Sequence, residues 1–387
     1  MADWLANQLA AGFVTLVKPT NAAPAPPPES EGAAEKEAGV RSENTPRFTL
    51  SEAQRNVFAR PSHPSYLGSL AFLASGIAHS LVNRMPTDLR EGRGIAWGEN
   101  SPHLFRFFEL MRESPAFQTN VLDRVIAAIP ADLRARMDCA PQGGPQDRPD
   151  VHQVLALDVG CGAGLAVCSL ATRFPPVFWV GLDCHRLSIE SAERLAVERG
   201  VTSNTYFVEG SAHVIPNPKS LLTRQSLSPP SELNISPFLT KQATAFQTDN
   251  KLEICSDESN LDNSATMTNS GFDLVTIIDS LHDMSDPLSV LRSIRSHMKP
   301  SGALIVWEPG SRDPTLETMA GLEGELLSAL AFSVCGPCGT TGRPDGIRCD
   351  SEHLGTIARD EQYFELASRA GFDKKFKAGE RVFVFQP

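Results

Sequence analysis

The second half of the chain alternates between short apolar runs and amphipathic segments. The apolar runs predict strands at 155–159, 177–182, 205–208, 271–279 and 303–307. Apolar positions at helical spacing predict helices at 165–173, 187–198 and 288–298. Nearly continuous apolar strands suit a parallel sheet that is covered on both faces. This pattern predicts an α/β fold in which strands and helices alternate.

The end of the chain continues this pattern. Helices are predicted at about 315–330 and 360–370, with a glycine-containing loop at 335–349 between them. Gly371 and Phe372 end the last helix, and Arg381–Phe385 is predicted to form a final strand.

The first 138 residues have a different character. A short helix is predicted at 4–12, followed by strands at 13–17 and 47–50 and a helix whose first turn is capped by Ser51. Residues 19–46 are rich in Pro, Ala and Glu, which predicts a disordered insert. Residues 58–137 are predicted to be mainly helical.

Composition divides the chain further. We expect an N-terminal domain over residues 1–138, a linker over 139–150 and an α/β domain over 151–387. Residues 214–270 are rich in Ser, Thr, Asn and Pro and lack periodicity. That length exceeds an ordinary connection, so this second insert is also predicted to be disordered.

A glycine-rich loop follows the first α/β strand. The order is Asp158, Gly160, Gly162 and Gly164, and Leu165 occupies the place of the third glycine of a dinucleotide fingerprint. Glycine allows a sharp turn and close backbone approach by a ligand. The carboxylate before the glycines suits a ligand with an ammonium group better than a phosphate. The alternative is a tight strand–helix turn without a ligand.

The second strand ends at Asp183, 19 residues after Gly164. An acidic residue at about this distance typically binds ribose hydroxyls. The alternative is a solvated aspartate at the end of a strand.

His282 and Glu308 follow the carboxyl ends of the fourth and fifth strands, respectively. The carboxyl ends of neighbouring parallel strands form the ligand-binding edge of an α/β sheet. Histidine titrates near neutral pH, and a carboxylate can fix its tautomer. A histidine and a carboxylate at this edge are chemically suited to proton transfer. Alternatively, His282 caps a helix or lines the pocket. His353 is an alternative base, but its position favours a solvated loop histidine.

Two of these segments carry a family resemblance. Leu155–Gly164 resembles motif I of class I S-adenosylmethionine-dependent methyltransferases. Asp279–Pro287 looks like the L-H-D-x-x-D-P segment of small-molecule O-methyltransferases and of their winged-helix-bearing bacterial relatives. The resemblance implies a Rossmann-like, seven-stranded sheet with S-adenosyl-L-methionine as cofactor. It also implies that His282 is the base and that Glu308 orients it.

The resemblance also implies a set of cofactor-binding residues. They are Asp158, Gly160, Cys161, Gly162, Gly164, Asp183, Ser211 and Asp279. Ser211 departs from the family, because an Asp often meets the adenine amino group at this place. Glu209 or the Ser211 hydroxyl could substitute for it.

The N-terminal segments at 3–17 and 47–57 resemble the last helix and wing of a winged-helix domain. In the two-domain methyltransferases this domain dimerises and lines the substrate pocket. The resemblance therefore implies a homodimer in which residues 1–138 cover a small-molecule substrate.

Composition limits the class of protein. The net charge of −11 and pI of about 5.4 argue against a general nucleic-acid binder. The chain contains no apolar run of membrane-spanning length and no signal-peptide pattern, and its eight cysteines are scattered. We therefore expect a cytoplasmic enzyme with free thiols.

Cys335 and Cys338 stand in a Cys-x-x-Cys pattern, and Cys349 follows. No second pair completes a four-ligand zinc site, so no metal is predicted, although a redox pair is an alternative.

These observations predict a methyltransferase that acts on a small molecule, with oxygen as the methyl acceptor. The main alternative is a non-catalytic regulator or scaffold that binds S-adenosylmethionine. A DNA-binding regulator ranks third, and an NAD-dependent enzyme ranks last because of Leu165 and the position of Asp158.

Overall fold

The computed structural model describes most of the predicted elements. The described residues are 15–17, 47–60, 63, 66–83, 85–91, 94–139, 154–218, 221, 271–309, 322–342, 353–356 and 358–387. The predicted helix at 4–12 and the predicted insert at 19–46 lie outside the described residues. Nearly all of the predicted linker at 139–150 and of the insert at 214–270 also lies outside the described residues.

A seven-stranded mixed sheet forms the centre of the molecule. Its strands are β3 (Leu155–Val159), β4 (Phe178–Asp183), β5 (Thr205–Glu209), β6 (Phe272–Ile278), β7 (Met298–Trp307), β8 (Lys374–Gly379) and β9 (Val382–Gln386). The spatial order is β5-β4-β3-β6-β7-β9-β8. The first five strands are parallel, whereas β9 is antiparallel to β7 and β8 is antiparallel to β9. The predicted α/β fold with a Rossmann-like seven-stranded sheet is confirmed.

The chain order reverses between β3 and β6. From β3 the chain proceeds outward through β4 and β5, and it then returns to β6 on the other side of β3. In open α/β sheets, ligands bind at the carboxyl ends of the strands beside such a reversal.

Helices cover this sheet and build the N-terminal part. The N-terminal helices are α1 (Glu52–Phe58), α2 (Leu70–Asn83), α3 (Met85–Glu91), α4 (Pro102–Glu113), α5 (Pro115–Phe117), α6 (Asp123–Ala128) and α7 (Ala131–Asp138). The later helices are α8 (Leu165–Arg173), α9 (Arg186–Arg199), α10 (Pro287–Ser296), α11 (Leu322–Leu330), α12 (Gly336–Gly339) and α13 (Asp360–Arg369). Short 3₁₀ turns lie at Trp97–Glu99 and Leu281–Asp283, and π-helical turns lie at Gln118–Leu122 and Ala331–Cys335.

The side chains of β3 explain why its apolar run is continuous. Ala156 packs into the hydrophobic cluster on one face of the sheet, together with residues of α8. Leu155, Leu157 and Val159 pack into a second cluster on the other face, together with residues of α10 and α13. Because both faces are covered, the strand needs apolar residues at successive positions.

Two local predictions were wrong. Residues 299–302, between the predicted helix at 288–298 and the predicted strand at 303–307, are part of β7, where Phe272 pairs with Met298 but Leu274 pairs with Ala303. Three extra residues in β7 therefore form an irregularity within the strand, which accommodates Pro300 and Gly302. The loop predicted from Cys335 is helical as far as Gly339, because Pro337 lies in the first turn of α12, where proline is tolerated.

The N-terminal elements follow the predicted order where they are described. Strands β1 (Thr15–Val17) and β2 (Arg47–Thr49) pair antiparallel. Ser51 and Gln54 form a capping box at the start of α1. Among the described residues, no helix combines the length and the apolar character that crossing a membrane requires.

Candidate active site

The loop between β3 and α8 is built around three glycines with left-handed backbone angles. Gly160 and Gly164 have φ of 76° and Gly162 has φ of 54°. A Cβ at Gly160 would lie 2.4 Å from Ser280 Oγ, and one at Gly164 would lie 2.6 Å from Ala192 Cβ. Both the backbone conformation and the close neighbours therefore require glycine.

Asp183 fastens this loop to the end of β4. Its Oδ2 accepts a hydrogen bond from Gly162 N at 2.8 Å, and its Oδ1 accepts one from His185 N, also at 2.8 Å. Burial raises the pKa of Asp183 above the ordinary aspartate value, although these two hydrogen bonds oppose the shift. Asp183 thus holds the glycine loop in position, and it also lines the neighbouring cavity.

Asp158 lies behind the loop, at the centre of the sheet. Its side chain accepts a hydrogen bond of 2.7 Å from Thr276 Oγ1, and the residue is 2% exposed. Burial raises the pKa of Asp158 to about 7, while Thr276 and the Arg112 guanidinium oppose the shift. A carboxylate in this position creates negative potential beneath the loop when it is ionised.

A cavity of about 1480 Å³ opens at the carboxyl ends of β3, β4, β5 and β6. Five of the predicted cofactor residues line it, namely Gly160, Gly162, Asp183, Ser211 and Asp279. The other three, Asp158, Cys161 and Gly164, are not part of this lining. The sheet therefore brings the predicted residues together, but only some of them face the cavity.

Helix α4 supplies the opposite wall of the cavity. Phe105, Phe108 and Arg112 all line it, and the Phe105 ring stacks on His185 with centroids 4.1 Å apart. The Arg112 Nη2 atom lies 3.7 Å from Asp279 Oδ2. Arg112 Nη1 lies 2.7 Å from the place where a Cβ on Gly162 would be. Arg112 was not predicted as a site residue, because it belongs to a helix that is far from the glycine loop in the chain.

Asp279 combines an unusual backbone with a perturbed carboxyl group. Its φ is 58°, a left-handed value that is uncommon for a residue other than glycine. Burial raises the pKa of Asp279 to about 6, while Arg112 and His282 oppose the shift. Such strained and perturbed residues cluster at functional sites.

His282 and Glu308 form a buried pair at the ends of β6 and β7. Glu308 Oε1 accepts a hydrogen bond of 2.8 Å from Leu281 N, and Glu308 Oε2 pairs with His282 Nδ1. The other ring nitrogen, Nε2, lies 3.3 Å from Asp283 Oδ1. His282 is only 3% exposed and is not among the residues that line the cavity, whereas Asp283 lines it. Asp283 therefore lies between the imidazole and the cavity.

The surrounding charges set the protonation of His282. Burial lowers its pKa, but the Asp283 and Glu308 carboxylates outweigh burial and raise the pKa of His282 well above the ordinary histidine value. Its protonated form is therefore stabilised by both neighbours, and the ring can accept a proton only after it has become neutral.

The cysteines of the Cys-x-x-Cys segment are buried beside this pair. Burial raises the pKa of Cys335 to about 12 and raises the pKa of Cys338 well above the ordinary thiol value. Reactive cysteines have lowered pKa values, so this environment disfavours a redox pair. Cys349 lies outside the described residues. His353 packs against Gly339 and does not line the cavity.

Known structures share this architecture. An O-methyltransferase family protein from Burkholderia thailandensis matches over 100% of this chain and 82% of its own, with 12% identity and a TM-score of 0.54. A structure described as PigF with SAH matches over 100% of this chain and 84% of its own, with 15% identity and a TM-score of 0.53. At these identities the likeness shows the fold.

One curated sequence relative is the ribosomal RNA small subunit methyltransferase C of Hahella chejuensis. It is 30% identical over 128 residues, which is 33% of this chain and 36% of that protein. The chain thus spans little more than a third of the length of this relative.

The strand order, the glycine loop and the acidic residues at the strand ends define a class I methyltransferase, for which S-adenosylmethionine is the cofactor. Residues 122–372 match the model of the methyltransferase-domain family. The chain belongs to that family.

Proposed function

We propose that this protein transfers a methyl group from S-adenosylmethionine to an oxygen atom of a small molecule. The arrangement around one cavity carries the proposal. The glycine loop lies on one side of this cavity, and the buried His282–Glu308 pair lies behind the wall on the other side. Methyl transfer to a hydroxyl oxygen needs a bound methyl donor and a group that removes the hydroxyl proton.

The glycine loop and the acidic residues of the cavity support binding of the cofactor. Gly160 and Gly162 let a ligand approach the loop backbone, because both line the cavity and neither carries a Cβ. Asp183, Ser211 and Asp279 would hold it by hydrogen bonds, and the negative potential of Asp158 favours a cation. When bound, S-adenosylmethionine supplies an electrophilic methyl group on a positively charged sulfur.

His282 is proposed as the proton acceptor. The Glu308 carboxylate holds the imidazole through Nδ1, which directs Nε2 toward Asp283 and the cavity. Because Asp283 lines the cavity and its Oδ1 is 3.3 Å from Nε2, the proton of a hydroxyl bound there reaches His282 through Asp283 or after Asp283 turns aside. Glu308 then stabilises the imidazolium.

The N-terminal residues are proposed to select the substrate. Trp97 lies 5.7 Å from both Phe105 and Phe108, measured between ring centroids, and all three line the cavity. An aromatic wall of this kind suits a planar small molecule. By family resemblance, residues 1–138 are further proposed to form a winged-helix-like dimerisation domain of a cytoplasmic enzyme.

Methyl transfer from tritium-labelled S-adenosylmethionine to a panel of phenols and small hydroxy acids tests the proposal. We expect product with at least one acceptor, and we expect His282→Ala to abolish it while the dissociation constant for S-adenosylhomocysteine stays unchanged. Product formation that is equal in the wild type and His282→Ala would refute the histidine base.

A non-catalytic, cofactor-binding regulator is the second candidate. Two observations motivate this candidate. His282 is buried behind the cavity wall, and the Ser211 hydroxyl is already hydrogen-bonded to His213 Nδ1 at 3.0 Å. Tight binding of S-adenosylhomocysteine without turnover on any acceptor of the panel would favour this candidate.

A further inference from the structure

His282, Asp283 and Cys335 bring three different metal-ligating atoms to one point. A ring nitrogen, a carboxylate oxygen and the thiol sulfur all lie within 4.8 Å of one another. His282 and Asp283 come from the 3₁₀ turn after β6, whereas Cys335 ends the π-helical turn after α11. Their separation in the chain explains why the spacing of the cysteines alone predicted no metal.

We propose that His282, Asp283 and Cys335 form a binding site for a zinc-class divalent metal ion. Nitrogen, oxygen and sulfur ligands bind zinc at about 2.0–2.3 Å, so the ligand atoms of one tetrahedral ion are about 3.4 Å apart. The 3.3 Å between His282 Nε2 and Asp283 Oδ1 already matches that separation. The Cys335 sulfur lies within 4.8 Å of both of these atoms.

The Glu308 carboxylate prepares His282 for this role. Histidines that bind metals usually donate their second ring N–H to a carboxylate, which fixes the tautomer and orients the ring. Glu308 is completely buried and pairs with His282 Nδ1, so the lone pair of the neutral ring is on Nε2. Nε2 faces Asp283 and Cys335.

Asp283 supplies a second, independent sign of a cation. Its Oδ1 atom is buried, has no hydrogen bond of normal geometry to the described residues, and is ion-paired with His282 Nε2, 3.3 Å away, only while that ring is protonated. Buried carboxylate oxygens without such a donor are costly, and a bound cation compensates for that cost. When the ion binds, Cys335 would release its thiol proton and a protonated His282 would release its Nε2 proton, both to solvent.

Three protein ligands leave one position of a tetrahedral ion open, and Asp283 is the ligand that borders the cavity. A metal on Nε2 blocks the atom that would receive the substrate proton. The metal-bound protein is therefore expected to be inactive in methyl transfer. This consequence depends on the proposed function, whereas the metal site itself does not.

Zinc binding to the metal-stripped, full-length protein tests the site without S-adenosylmethionine. A chelating dye that competes for Zn²⁺ gives the affinity of the wild type, of Cys335→Ser and of Cys139→Ser, a control at an exposed cysteine. We expect one Zn²⁺ per chain in the wild type and the control, and an affinity at least about tenfold lower in Cys335→Ser. Glu308→Gln should weaken binding by about 10- to 100-fold.

Two measurements on the wild type keep the test independent of variant folding. Co²⁺ should give a thiolate-to-metal absorption band, and Zn²⁺ should protect Cys335 from alkylation, as read by mass spectrometry. Equal zinc affinity in Cys335→Ser and Cys139→Ser, or the absence of both the band and the protection, would overturn the site. Because no methyl donor is present, failure here leaves the proposed methyl transfer untouched.

Discussion

Replacing Asp158 with asparagine should stabilise the ligand-free protein at alkaline pH and weaken its binding of S-adenosylhomocysteine. Asp158 is 2% exposed, and burial raises its pKa from 3.8 to about 7. Each pKa unit corresponds to about 1.4 kcal/mol, so the ionised carboxylate costs the folded state about 4 kcal/mol. Asparagine keeps an oxygen that can accept the hydrogen bond from Thr276 but carries no charge.

The sign of the pH dependence follows from proton binding. The folded pKa lies above the unfolded one, so between about pH 4 and pH 7 the folded state holds more protons on this residue. Stability therefore falls as the pH rises through this window. From pH 5 to pH 8 the wild type should lose about 3 kcal/mol that Asp158→Asn does not lose.

Urea denaturation at pH 5 and pH 8 measures this difference. The wild type is compared with Asp158→Asn and with Asp132→Asn, which removes an exposed carboxylate. Only Asp158→Asn should show the weaker pH dependence, and its affinity for S-adenosylhomocysteine at pH 8 should be lower than that of the wild type. The reasoning is refuted if Asp158→Asn and the wild type lose equal free energy between the two pH values.

Three further changes probe the loop, the cavity wall and the buried pair. Gly164→Ala should lower the free energy of unfolding by about 2–4 kcal/mol in urea denaturation, because its Cβ would lie 2.6 Å from a neighbouring Cβ. Gly200→Ala, with a similar φ and open space, should cost only about 1–2 kcal/mol, and equal losses would contradict the steric explanation. Arg112→Ala should weaken binding of S-adenosylhomocysteine in calorimetry by about 1–3 kcal/mol, since it leaves Asp279 without its ion pair; unchanged affinity would remove Arg112 from the site. Glu308→Gln should reduce turnover by about 100-fold or more while cofactor affinity persists, and full activity would exclude an orienting role.

The sheet could be predicted because its signal is local. Apolar side chains must point to both faces of β3 and β6, so each strand is visible as a continuous run bounded by turn residues. The glycine loop could also be predicted, because the positive φ angles at positions 160, 162 and 164 strongly favour glycine over other residues.

The remaining parts of the site depend on contacts between distant segments. Arg112 belongs to an ordinary amphipathic helix, and only the packing of α4 against the glycine loop reveals that it faces Asp279. Cys335 meets His282 and Asp283 because the turn after α11 folds back onto the end of β6. The sequence predicted His282 at the ligand-binding edge of the sheet, but in the structure Asp283 lines the cavity and His282 does not. Which of these two neighbours lines the cavity depends on the directions of their side chains, and the periodicity of the sequence does not give those directions.

Calorimetric titration of S-adenosylhomocysteine into the full-length protein, with NAD⁺ as the comparison ligand, tests the central claim most directly. A class I methyltransferase should bind one S-adenosylhomocysteine per chain, with loss of affinity in Asp183→Ala, and should not bind NAD⁺. Binding of NAD⁺ without binding of S-adenosylhomocysteine would contradict the assignment of this cavity to the methyl donor.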